Sequence, residues 1–121
     1  MASIPIVQVG TPVLRERASE IAVEKINTPE FAELCASMVT TMREAPGVGL
    51  AAPQLGLGLR IFVMEDQPAY LANLTPEENA ERDREAVPLR IFVNPALQPI
   101  GEEKAGFFEG CLSVDGYVGY V

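Results

Sequence analysis

Two short stretches hold the side chains that could do chemistry. The first is Gly47-Val48-Gly49-Leu50-Ala51-Ala52-Pro53-Gln54. Its glycines permit close approach by another backbone. Ala51-Ala52 keeps that surface low, and Gln54 adds a carboxamide N–H₂ beside it, a plausible donor to an oxyanion. Read alone, such a stretch is more commonly a tight helix-to-strand turn with a satisfied glutamine. It comes after a helical pattern and lacks both a third glycine and a Gly-Lys-Ser/Thr, so it is neither a dinucleotide fingerprint nor a phosphate loop. The second stretch is Phe107-Phe108-Glu109-Gly110-Cys111-Leu112-Ser113. Cys111 could be an inert buried thiol, a nucleophile or a metal ligand. A nucleophile would need a base, and the 121 residues contain no histidine. That count excludes His-based triads and imidazole ligands from this chain.

The elements that must position these stretches can be read from local pattern. Residues 4–14 form an apolar extended arm broken by a turn near Gly10-Thr11-Pro12, within an arm spanning 1–15. The clearest helix, about 28–45, opens with Thr28 as cap and Pro29 in the first helical position. Phe31, Leu34, Cys35, Met38, Val39 and Met42 then recur at helical spacing, which makes one apolar stripe and places Cys35 in the core. Pro46-Gly47 stops the helix. Leu59–Met64 and Leu89–Val93 read as two buried strands, and residues 96–105 are a candidate for another. Between the two strands lies a polar insertion, about 66–88, in which Thr75-Pro76-Glu77-Glu78 has a capping-box pattern. The residues after that box, through Glu85, are charged on every side, as expected of a solvated loop with one short surface helix. A lid or partner-binding loop is the alternative.

Composition narrows the function classes. A chain of 13.1 kDa allows one domain. Nine Lys+Arg against 17 Asp+Glu give a net charge of −8, which disfavours nucleic acid as a partner. Two cysteines, Cys35 and Cys111, supply no disulfide framework. No apolar run is long enough to span a membrane, and neither a signal nor a transit peptide is evident. A cytoplasmic protein with free thiols is the expectation.

Taken together, the two stretches resemble the first two signature motifs of the peptide deformylases. Gly47, Gly49, Ala51, Ala52 and Gln54 match the first; Glu109, Gly110, Cys111 and Ser113 match the second. The arm and helix are similar to the family's N-terminal portion, and the 66–88 insertion resembles a longer loop of some members. The resemblance implies an α+β fold with antiparallel sheets around helices. It also implies removal of the formyl group from formyl-methionyl N-termini of nascent polypeptides, near the ribosome. One divalent metal is implied, Fe(II) with Ni, Co or Zn able to replace it. By the same resemblance Cys111 is a metal ligand, while Gln54 and the backbone N–H of Leu112 are oxyanion donors. Val48 and Gly49 would pair with the substrate backbone, and Phe107 and Gly110 would help bind the substrate.

The family's third motif, H-E-x-x-H on a later helix, is absent from these residues, and with it two histidine ligands and the catalytic glutamate. The chain also stops in mid-pattern at Tyr120-Val121. The expectation is therefore a single incomplete domain, 1–121, without the central C-terminal helix. It would be a partial sequence that is inactive alone and does not retain the metal. A truncated homologue acting as a peptide-binding module is the rival reading. A cysteine hydrolase using Cys111 is a second rival, which the lack of histidine disfavours.

Overall fold

A computed structural model describes residues 2–121; Met1, the first residue of the expected arm, lies outside the described residues. In chain order the elements are α1 (Val23–Ile26), α2 (Pro29–Glu44), β1 (Gly49–Ala51), β2 (Ile61–Asp66), α3 (Pro68–Ala72), α4 (Pro76–Glu81), β3 (Val87–Val93), β4 (Phe108–Gly110) and β5 (Val118–Tyr120). Short 3₁₀ turns at Pro12–Leu14 and Ala52–Leu55 complete them. One sheet runs in the order β1-β2-β3 and a second is the pair β4-β5, all antiparallel. The fold is α+β.

Helix α2 organises the core. The Thr28 hydroxyl accepts from the Phe31 N–H at 3.3 Å and satisfies one of the open donors at the helix start. The apolar stripe puts Cys35, Met38, Val39 and Met42 inside, together with Ile21, Leu50, Ala52, Leu55, Ile61 and Val63. Thr41 is buried as well, and its hydroxyl is not left unpaired: it donates to the Ser37 carbonyl at 2.7 Å and accepts from the Ile4 N–H at 2.9 Å. That second bond docks the N-terminal arm on the helix, and Ile4 and Ile6 pack against the core beside it.

Sheet register reflects alternation. Ile61 and Val63 point inward and Leu50 lies opposite Val63, so one face of β1 and β2 meets α2. On the other face Phe62 stacks on Phe92 with ring centroids 4.6 Å apart. Strand β3 departs from expectation. Its apolar run predicts burial, yet Leu89 and Ile91 are 37% and 42% exposed. The reason is position: β3 is the edge strand, and α2 lies over β1 and β2. Residues 96–105 form no strand, and Leu97 and Ile100 stand almost fully in solvent.

The insertion is more built than a loop with one helix. It carries both α3 and α4, and Thr75 caps α4 by accepting from the Glu78 N–H at 3.2 Å. Asn79 Nδ2 donates to the Leu71 carbonyl at 3.0 Å and joins the two helices. At its base the Arg84 guanidinium grips Asp66 through two bonds of 2.7 and 2.9 Å. Two residues earlier, Arg82 Nη2 donates to the Phe108 carbonyl at 3.0 Å. The insertion thus spans from the end of β2 to the start of the β4-β5 hairpin.

Asn94 supplies a further tie. Its carboxamide accepts from the Ile21 N–H at 2.7 Å and donates to the Ile21 carbonyl at 2.9 Å. It does so with φ at 51°, in the left-handed region that asparagine tolerates better than most residues. Replacing Asn94 by Ala leaves both backbone groups of buried Ile21 without these partners and adds backbone strain. The expected loss is about 2–4 kcal/mol of unfolding free energy, measured by denaturant titration; a loss within experimental error would show that the tie is not used.

Candidate functional site

The two chemical stretches meet. Residues 54 and 111 lie 57 positions apart, and Gln54 Nε2 stands 3.7 Å from Cys111 Sγ. The same amide donates to the Ser113 hydroxyl at 3.2 Å. At its other end the Gln54 Oε1 accepts from the Ala51 N–H at 2.9 Å. A backbone N–H can only donate, so this bond fixes which end of the carboxamide faces the thiol.

Gly47 makes the approach possible from the other side. A methyl group there would come within 2.8 Å of the Leu112 side chain, so glycine lets Leu112 seat against the first stretch. Leu112 then joins the core, while Cys111 stays exposed. Cys111 begins a turn in which its carbonyl accepts from the Val114 N–H at 3.0 Å. Among the described residues no acceptor pairs with the Leu112 N–H.

Between β1 and this turn runs an open groove of about 710 Å³, bordered by Val48, Gly49, Gln54, Gly110, Cys111 and Leu112 among others. Among the described residues β1 pairs with no strand but β2, so its outer edge, apart from the Ala51 N–H taken by Gln54, is free of a strand partner. Glu65 supports that edge, because its N–H donates to the Val48 carbonyl at 3.0 Å. The Glu65 carboxylate is held by Arg43 through bonds of 2.9 and 2.8 Å, and this hydrogen bonding keeps its carboxyl below the ordinary glutamate range.

Of the residues given a site role from the sequence, Val48, Gly49, Gln54, Gly110, Cys111 and Leu112 border the groove and Phe107 does not. Its ring lies under the Arg82 guanidinium, 5.9 Å from the cation, and it lines a separate pocket with Asp66, Arg84 and Glu109. Gln8 and Ser113 belong to the site's framework, and of these only Ser113 falls within a sequence motif. Gln8 is one polar residue in an apolar arm, with no local signal of its partners.

An α+β domain that sets a thiol and a carboxamide beside a free strand edge is a candidate peptide-handling domain. The comparisons with known proteins make the assignment specific. A family model described as polypeptide deformylase matches residues 3–121, and the chain belongs to that family. It is 46% identical over 112 residues to peptide deformylase 1A, chloroplastic/mitochondrial, of Arabidopsis thaliana, covering 93% of this chain and 42% of that protein. It is 48% identical over 115 residues to peptide deformylase 3 of Streptomyces avermitilis, covering 94% of this chain and 49% of that one. Among solved structures, a Met-Ala-Ser-bound class I type b peptide deformylase from Acinetobacter baumannii superimposes with a TM-score of 0.83 at 28% identity. That match covers 99% of this chain and 70% of the other. The chain thus spans about half the length, or less, of these curated relatives.

The family implies a divalent metal. The donor set here does not fit one by itself: among the described residues no three His, Cys, Asp or Glu side chains converge, and the chain has no histidine. A single thiolate does not fix a catalytic cation. Among the described residues no helix is long and apolar enough to cross a membrane.

The two cysteines are in opposite environments. Cys111 is exposed, whereas Cys35 is buried and its thiol is pushed up by desolvation. A chromogenic disulfide reagent should therefore titrate one thiol per native chain rapidly, and the second only on unfolding. Rapid reaction of both, or loss of the fast thiol on substituting Cys35 rather than Cys111, would contradict this placement.

Proposed function

We propose that the protein is a peptide deformylase that hydrolyses the N-formyl group of formyl-methionyl peptides. The observation that carries this reading is the Gln54 amide 3.7 Å from the Cys111 thiol, in a groove bordered by the open edge of β1. Family membership supports it. The Met-Ala-Ser complex of the Acinetobacter relative supports a short methionyl peptide as the occupant of such a groove.

Each part has a physical role. The β1 edge at Val48-Gly49 takes the substrate as an added strand, which reads main chain and leaves most side chains unread. Gly110 keeps the opposite wall low. Hydrolysis adds water to the formyl carbon, breaks its C–N bond and releases formate and a free amine. Negative charge develops on the formyl oxygen, where the Gln54 Nε2–H and the Leu112 N–H donate. Gln54 is pre-oriented for this by its bond to Ala51. Cys111 would be a donor to the family's divalent metal, Fe(II) in this reading, with Ni, Co or Zn as substitutes. Phe107, held under Arg82, is left outside the proposed substrate pocket. Nascent chains in the cytoplasm, close to the ribosome, are the proposed substrates.

One rival is a homologue that binds peptide through the β1 edge without hydrolysing it. Formate release from a formyl-methionyl peptide by the natural full-length protein separates the two. Release supports the enzyme; peptide binding with no release at any metal supplementation supports the module and overturns the enzyme. Within the enzyme reading, Gln54→Ala should lower kcat by about 10²–10³ with KM little changed and metal content intact. Cys111→Ser should lose metal and rate together, because a hydroxyl is a poorer donor than a thiolate. A Gln54→Ala protein with normal kcat would return Gln54 to a purely turn-forming part.

A further inference from the structure

The N-terminal arm reaches both halves of the site. The Val7 N–H donates to the Gln54 carbonyl at 2.8 Å, and the Val9 N–H donates to the Ser113 carbonyl at 2.7 Å. Gln8 lies between them, exposed to solvent, and both ends of its side chain are nonetheless engaged. Its Nε2 donates to the Leu112 carbonyl at 2.9 Å, across 104 positions, and its Oε1 accepts from the Asp115 N–H at 3.2 Å, across 107. One orientation of the carboxamide serves both partners, because a carbonyl only accepts and an N–H only donates.

These bonds act on the backbone that presents the Leu112 N–H. In a planar trans peptide the C=O and N–H point opposite ways. The Cys111 carbonyl is taken by the Val114 N–H inside the turn, which sends the Leu112 N–H out on the other side. That plane stays fixed only if the next ones do. Gln8 holds the carbonyl of Leu112 and the N–H of Asp115, and Val9 holds the carbonyl of Ser113. Ordering an exposed glutamine costs rotamer freedom, and two net-favourable bonds at fixed geometry offset that cost.

We infer that Gln8 is a positioning residue: its carboxamide clamps the turn that begins at Cys111 and so holds the Leu112 N–H beside the Gln54 amide. The inference rests on the deformylase reading for its catalytic consequence, but the clamp itself is a separate physical statement. The Gln8 carboxamide bonds to neither the thiol nor the proposed substrate edge, so it acts through the turn.

Two substitutions in the natural full-length protein test it. Gln8→Met keeps the length and removes both bonds. Gln8→Glu keeps an acceptor for the Asp115 N–H and removes the donor to the Leu112 carbonyl. Hydrogen exchange of the Asp115 amide should accelerate about 3–10-fold in Gln8→Met. Formyl-peptide kcat should fall about 3–10-fold in both, with KM changed less than twofold, because the lost alignment matters most where charge develops. Unchanged Asp115 exchange in Gln8→Met overturns the clamp. Accelerated exchange with wild-type kcat in both variants overturns its bearing on the site. A wild-type protein that releases no formate overturns the deformylase reading instead, and the exchange result then still decides the clamp.

Discussion

The carboxamide of Gln54 is the constraint on which the site depends. It is used at both ends, accepting from the Ala51 N–H and donating toward Cys111 and Ser113. If either end were free, the group could rotate and the thiol turn would lose its partner on the first stretch. Everything nearby serves this meeting. Gly47 gives Leu112 room to approach, Val7 holds the Gln54 backbone, and Arg43 with Glu65 steadies the Val48 carbonyl. Two sequence-distant motifs become one surface because the small residue at Gly47 and the paired polar groups of Gln54 and Ser113 let them close.

The scaffold divides into a firm part and a suspended part. Helix α2 with β1 and β2 holds almost all of the fully buried side chains, among them Met38, Met42, Leu50 and Val63. The β4-β5 hairpin, by contrast, is largely exposed and has its own small pairing, with Phe108 against Tyr120 at 5.2 Å. It is tied to the rest by the arm on one side and by Arg82 from the insertion on the other. The thiol therefore sits on a segment positioned by hydrogen bonds and by the packing of Leu112, whereas Gln54 sits next to the packed core. Such an arrangement places precision in directional contacts, which are individually small and act together.

Legibility in the sequence tracks the range of each interaction. The α2 stripe and its Thr28-Pro29 start are local and periodic, so they are legible. The two chemical motifs are legible by their resemblance to a family, and the α+β fold comes with it. Exposure of Leu89 and Ile91 is not, because an apolar strand reads alike whether a helix covers it or not. The second insertion helix and the Arg84–Asp66 grip are hidden in a charged stretch with no core-facing period. Phe107 reads as part of the second motif, and only the cation from the insertion shows where its ring lies. Gln8 is the sharpest case: its partners lie more than 100 residues away, and nothing local marks it.

The central claim is that the β1 edge and the thiol turn form one binding surface. Titrating a methionine-initiated tripeptide into the isotope-labelled protein, and following every backbone amide by NMR, tests that claim most directly. The account predicts that Gly47–Ala51 and Gly110–Asp115 shift together with a single binding constant. Shifts confined to one of these segments, or centred on the Arg82–Phe107 pocket, would contradict it.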